Sequence, residues 1–211
     1  MFTNVHKYTK IYVRKVKCAM DRLLVLFEEK TTVTYKELLE AGYTKYQVKK
    51  LCNQEFLEKL DRGVYGLANE LKDEFLVCQT NNQFMIYSNE TALYLHNLCD
   101  RYPLKMSVST KSGYHPRNTK LKVYYVKEEL LFLGVETIKT PQGNDVQVYD
   151  RERTICDIIK NKNRIDQQVY IQGLQNYFLY GHPNMRKLSK YAKALNIQRK
   201  VLEIIALYMK P

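Results

Sequence analysis

Residues 33–68 read VTYKELLEAGYTKYQVKKLCNQEFLEKLDRGVYGLA, and the fold of the chain is decided there. Thr34 stands three residues before Glu37, and Thr44 three before Gln47. Each pair has the spacing of a capping box, in which the hydroxyl takes an orphan amide of the first turn and the longer side chain reaches back. Gly42 lies between these two helix starts, after Leu38, Leu39 and Ala41. Helix, glycine turn and helix are the signature of a helix-turn-helix. The second helix is expected to bury Val48, Leu51, Cys52 and Phe56, which follow helical spacing. Thr44 caps it, and Lys45, Tyr46, Gln47, Lys49, Lys50 and Asn53 are left facing outward. Those side chains are of the kind that meet phosphates and base edges.

Two short apolar runs follow, Phe56 to Leu60 and Val64 to Ala68, on either side of Asp61-Arg62-Gly63. The glycine supplies the backbone freedom of a hairpin turn. A hairpin directly behind a helix-turn-helix is a wing, with Arg62 at its tip. The plainer reading is a small helix-and-hairpin module that packs on a partner protein.

The chain has 211 residues and a formal net charge of +12. That length holds one large domain or two small ones, and the charge favours a polyanionic partner. Residues 1–70 carry 13 basic against 9 acidic side chains, and residues 71–211 carry 21 against 13. The excess is therefore not confined to the N-terminal stretch. No acid occurs between Asp100 and Glu128, where Lys105, Lys111, Arg117, Lys120 and Lys122 fall, nor between Arg186 and Lys200, which span Lys187, Lys190 and Lys193. Either run alone reads as a solvated face; together they mark a candidate second basic surface. The five cysteines are widely spaced and form no CxxC pair, as expected of reduced thiols in a cytoplasmic protein. No apolar run is long enough to span a bilayer, and the basic N-terminus lacks the apolar core of a signal peptide.

Taken in order, Lys10 to Lys30 has the periodicity of a helix that would pack behind the helix-turn-helix, and the acid-free segment Lys7 to Lys17, which overlaps its start, reads as a solvated terminus or a basic arm. A boundary is expected at Asn69–Asp73, giving a winged helix-turn-helix domain over 1–69 and a second domain over 70–211. In the latter, strands are expected at Phe84–Tyr87, Leu104–Thr110 and Lys122–Val126, with Leu130–Thr140 and Val146–Tyr149 flanking a turn. Ser88 and Asp150 are the expected caps of two helices, and Pro141 to Asn144 the expected turn. Three helices close the chain from Gln167 onward. The fold class is α+β, with short antiparallel strands and a helical tail.

The 18 tyrosines and absent tryptophan raise the question of a stacking platform, best placed at Tyr124-Tyr125 near Tyr114 and His115. Half-buried strand tyrosines account for the same pattern. The four histidines form no HxxxH or HExxH pair, and no GxSxG, Walker or GxGxxG motif occurs. Asp150, Glu152 and Asp157 invite a metal reading, but Asp150 reads as a cap and Asp157 as a helical residue. No metal, cofactor or enzymatic activity is expected.

With these elements in place, the chain resembles the AbiEi antitoxins of bacterial abortive-infection systems. The resemblance rests on Leu60-Asp61-Arg62-Gly63-Val64-Tyr65-Gly66-Leu67-Ala68, on Ser88 to His96, and on Val148-Tyr149-Asp150-Arg151-Glu152-Arg153-Thr154-Ile155-Cys156-Asp157-Ile158-Ile159. These segments, in this order and at this spacing, extend over nearly the whole length. The resemblance implies a bipartite protein of a type IV toxin–antitoxin system in phage defence. Its winged helix would bind inverted repeats in its own promoter as two or more protomers and repress the operon. Its C-terminal domain would counteract a nucleotidyltransferase-like toxin without a stable complex. The alternative is an RNA-binding or partner-binding regulator in which the winged helix is scaffold.

Overall fold

The computed structural model describes residues 21–116 and 121–209. The expected basic arm, most of the first expected helix, Arg117 and Lys120 lie outside them. The fold is α+β, in two compact units. The first contains the described residues up to Asn81 together with Lys139–Asp145, and the second contains Asn82–Ile138 and Val146 onward. The first unit thus continues beyond the stretch 1–69 and takes in a segment from much later in the chain.

In the first unit a helix at residues 21–27 (α1) is followed by β1 (Thr32–Thr34), α2 (Tyr35–Glu40), α3 (Lys45–Asn53), β2 (Leu57–Asp61), β3 (Val64–Leu67) and α4 (Glu74–Thr80). The three strands form an antiparallel sheet in the order β1-β3-β2, with Val33 opposite Tyr65 and Leu57 opposite Leu67. Leu23, Val33, Leu38, Tyr43, Val48 and Leu57 make the core. Each fully buried side chain of this size contributes about 1.5–3 kcal/mol. Gly42 takes φ +84° just past α2. There the Gly42 amide donates to Leu39 O and the Tyr43 amide to Leu38 O, the left-handed helix ending that glycine favours.

The exit from α3 corrects one expectation. The helix stops at Asn53, and Glu55 adopts φ +57° while the amides of Glu55 and Phe56 close back on Cys52 O and Leu51 O. Phe56 therefore leaves the helical register and is 45% exposed, and Leu57 fills the core in its place.

Asp73 caps α4 through one carboxylate oxygen, which accepts from the amides of Phe75 (3.0 Å) and Leu76 (3.1 Å). Its other oxygen accepts from Thr140 Oγ1 (2.6 Å) and Asn144 Nδ2 (2.9 Å). These contacts, all buried, hold the 139–145 segment in the first unit.

The second unit contains β4 (Ile86–Tyr87), α5 (Asn89–Leu95), β5 (Met106–Lys111), β6 (Leu121–Val126), α6 (Glu128–Leu131), β7 (Val135–Lys139, its last residue in the first unit), β8 (Asp145–Tyr149, likewise sharing Asp145), α7 (Arg151–Lys160), a 3-10 turn (Lys162–Arg164), α8 (Gln167–Phe178), α9 (Met185–Ala194) and α10 (Gln198–Tyr208). The strands form one sheet in the order β6-β5-β4-β8-β7. It is mixed: β4 runs antiparallel to β5, but β8 is parallel to β4 and β6 is parallel to β5. That corrects the expected antiparallel strands. The span Leu130–Thr140 before the turn takes in the end of α6 and the whole of β7.

Helix α7 packs against α5, α8, α9 and α10. Ile155, Cys156, Ile158 and Ile159 join Leu93, Leu174, Tyr177, Leu188, Ala192 and Val201 in the main core. Ile171 on α8 and Leu202 on α10 are 40% and 64% exposed. Among the described residues no helix is long and apolar enough to cross a membrane.

Candidate nucleic-acid interface

Helix α3 is set up by its own N-terminus. The Thr44 amide donates to Gln47 Oε1 (2.8 Å) and the Gln47 amide to Thr44 Oγ1 (3.3 Å). A reciprocal pair of this kind satisfies two orphan donors at once. It also fixes the role of Gln47. The side-chain oxygen is committed to the cap, so only the amide NH2 is left to meet a ligand. Val48 is buried on the core side, with Leu51 and Cys52 half-buried beside it. On the opposite side Lys45, Lys49 and Asn53 follow one another at helical spacing and are exposed, and Tyr46 next to them is 77% exposed. Thr44 is also exposed, while Gln47 and Lys50 are half-buried. No acidic residue occurs between Lys45 and Asn53, so the lysine charges on this face are not cancelled along the helix.

The hairpin is braced at its tip. Gly63 takes φ +75°, its carbonyl accepts from the Tyr35 amide (2.7 Å), and Arg62 is exposed. Asn81 Nδ2 donates to Asp61 Oδ2 (3.0 Å) and to the Arg62 carbonyl (2.9 Å). Nothing in the local sequence marks Asn81 for this role, because its partners lie about twenty residues upstream. Asp61, adjacent to Arg62, sets an acid beside the tip. At the start of α2, burial works against the charge of Glu37, but bonds from Lys30 and Thr34 outweigh it and hold the carboxyl below its usual range.

The expected second basic surface is divided. Lys111 pairs with Glu128 (3.1 Å) and lies over the Phe84 ring. Lys122 pairs with Glu90 (2.6 Å), and Lys187 with Asp150 (3.0 Å) and Glu152 (3.7 Å). These three are committed to carboxylates and do not form an open cationic face. Lys105, Arg186, Lys190 and Lys193 are exposed. The tyrosine platform is not assembled either. Tyr124 is 3% exposed beneath the Arg164 guanidinium (4.1 Å), and Tyr125 turns its hydroxyl to His115 (3.1 Å).

The acids around α7 are likewise engaged. Asp150 caps the helix through the Arg153 amide (2.8 Å) and accepts from Tyr191 Oη (2.7 Å). Glu152 accepts from Tyr177 Oη (3.3 Å), and Asp157 takes Arg153 Nε (3.2 Å). Among the described residues no group of three metal-ligating side chains is assembled. Burial pushes the neighbouring Cys156 thiol up to about 12, which keeps it protonated and unreactive.

The fold is similar to that of the RV2827C protein from Mycobacterium tuberculosis, known from a crystal structure. The TM-score is 0.51 at 11% sequence identity, over 90% of this chain and 81% of that one. At that identity the likeness concerns the fold alone. No family model matches the chain, and no curated protein matches it.

Proposed function

We propose that the first unit is a winged helix-turn-helix that binds duplex DNA, with α3 as the recognition helix and the β2–β3 hairpin as the wing. The observation that carries this reading is the acid-free outer face of α3, where Lys45, Tyr46, Lys49 and Asn53 are exposed behind the Thr44 cap. Lysines in this position anchor phosphates, and Tyr46 and Asn53 lie where base edges would be met. The exposed Arg62 extends the footprint toward a neighbouring groove. On the resemblance to AbiEi antitoxins, the DNA is an inverted repeat in the protein's own promoter, occupied by two protomers. The second unit then acts as antitoxin against a nucleotidyltransferase-like toxin.

Replacing Lys45 and Lys49 with alanine is expected to weaken binding to promoter duplexes of every sequence. It should also make log K against log salt shallower by about 0.9 for each phosphate that the variant no longer neutralises. Both side chains are exposed, so the melting temperature should not change. Fluorescence anisotropy over a salt series measures this, and an unchanged slope would sink the proposal.

A further inference from the structure

A second set of cations in the other unit converges on one place. Lys160 ends α7, Lys162 opens the 3-10 turn, and Lys200 belongs to the first turn of α10. With Ile159, Asn163, Tyr170, Glu203 and Ile204 they line an open groove of about 250 Å³. All three lysines are exposed, and none forms an ion pair among the described residues. Glu203, the acid of the groove, is paired with Arg199 (3.1 Å). The three lysines outnumber the single acid along this groove, and a surface with an excess of one sign attracts ions of the other.

The chemistry narrows the anion. Lysine is depleted at protein–protein interfaces, which are centred on accessible aromatic anchors. Here the aromatic ring is closed off, since Tyr170 is 6% exposed with Lys162 Nζ 5.5 Å above its centroid. The same closure leaves no face on which a nucleobase could stack. The groove's cations are three exposed lysines beside aliphatic Ile159 and Ile204, and ammonium groups of this kind suit a phosphodiester and are blind to base identity. We infer that the groove formed by Lys160, Lys162 and Lys200 binds the phosphate backbone of a nucleic acid without sequence preference, independently of α3.

The test uses the full chain in four forms: unaltered, Lys45→Ala/Lys49→Ala, Lys160→Ala/Lys162→Ala/Lys200→Ala, and the two sets combined. Each is titrated against mixed-sequence duplex DNA, duplex RNA and single-stranded RNA over a salt series, with inorganic triphosphate as a separate probe. The triple variant is expected to lose sequence-independent affinity, with a slope on duplex DNA shallower by about 0.9 for each lysine that meets a phosphate. A triple Lys→Arg variant should keep both. Residual binding by the α3 variant should vanish in the combined form. A slope on all three strands that the triple alanine variant leaves unchanged overturns the inference. So does a response to triphosphate with none to any strand. If the α3 variant binds as the unaltered chain does while the triple variant is weakened, the groove stands and the winged-helix reading falls.

Discussion

At the scale of single residues, the second unit buries charged groups among hydrogen-bond partners, although Arg153 Nη2 has none among the described residues. Arg153 is fully buried. Its Nε donates to Asp157, its Nη1 to the carbonyls of Leu130 (3.0 Å) and Leu133 (2.7 Å), and its guanidinium lies 4.1 Å from the centroid of the Tyr149 ring. Burial opposes the charge, and Asp157 and Tyr149 more than restore it. His96 shows the opposite outcome. Its Nε2 lies 2.7 Å from the Tyr149 carbonyl oxygen, which can only accept, so the neutral ring carries its proton there. Burial lowers the His96 pKa despite the pull of that carbonyl and of Glu136. The folded state therefore takes up this proton at lower pH than the unfolded chain, whose histidine titrates at about 6.5. Stability is fully present above that value. It falls as the solution is acidified below it, by at most about 1.4 kcal/mol per pH unit for one proton. Urea unfolding of the unaltered chain between about pH 7.5 and 5.5 should show this fall, and His96→Gln, which keeps an N–H donor, should flatten it. Identical pH profiles for the two proteins would refute the assignment.

At the scale of elements, what could be read from sequence was what neighbours in sequence decide. Thr34, Thr44 and Asp150 cap the helices their spacing announces, and Gly42 makes the turn between α2 and α3. Where partners are distant, the sequence was silent. The connection from β5 to β6 is only nine residues, a length that ordinarily returns a strand antiparallel to the last. The register nevertheless sets β6 parallel to β5, Met106 opposite Leu121 and Lys111 opposite Val126. Glu152 and Arg153 of α7 meet partners on α6, α8 and α9, so its sequence reads as amphipathic although Glu152 to Ile159 are all buried. The groove lysines come from positions forty residues apart, and no local pattern joins them. The caps give the sharpest check at this scale. Thr44→Ala should destabilise the first unit by about 1 kcal/mol, while Thr44→Ser should cost little. Equal unfolding midpoints for the alanine variant and the unaltered chain would mean that the cap does not support α3.

At the scale of the whole molecule, the two units are not successive beads on the chain. The backbone leaves the first unit after Asn81, re-enters it at Lys139 and leaves again after Asp145. The returning segment carries out a definite task there. Thr140 and Asn144 satisfy Asp73 Oδ2, and Asp73 is wholly buried with its amide on Thr32 Oγ1 (2.8 Å). Gly143, at φ +85°, approaches the Glu29 carbonyl so closely that a Cβ would collide with it. A fragment ending at Asn81 keeps α2, α3 and the hairpin but leaves a buried carboxylate oxygen without its two donors. An unsatisfied buried acceptor costs about 1–3 kcal/mol, and more when it is charged. The fragment should therefore protect the β1–β3 amides less from hydrogen exchange than the full chain does. Thr140→Ala/Asn144→Ala in the full chain should reproduce most of that loss while leaving α7 protected. Equal protection in the fragment and the full chain would show that the first unit is self-sufficient. In that case residues 139–145 would rest on it without supporting it.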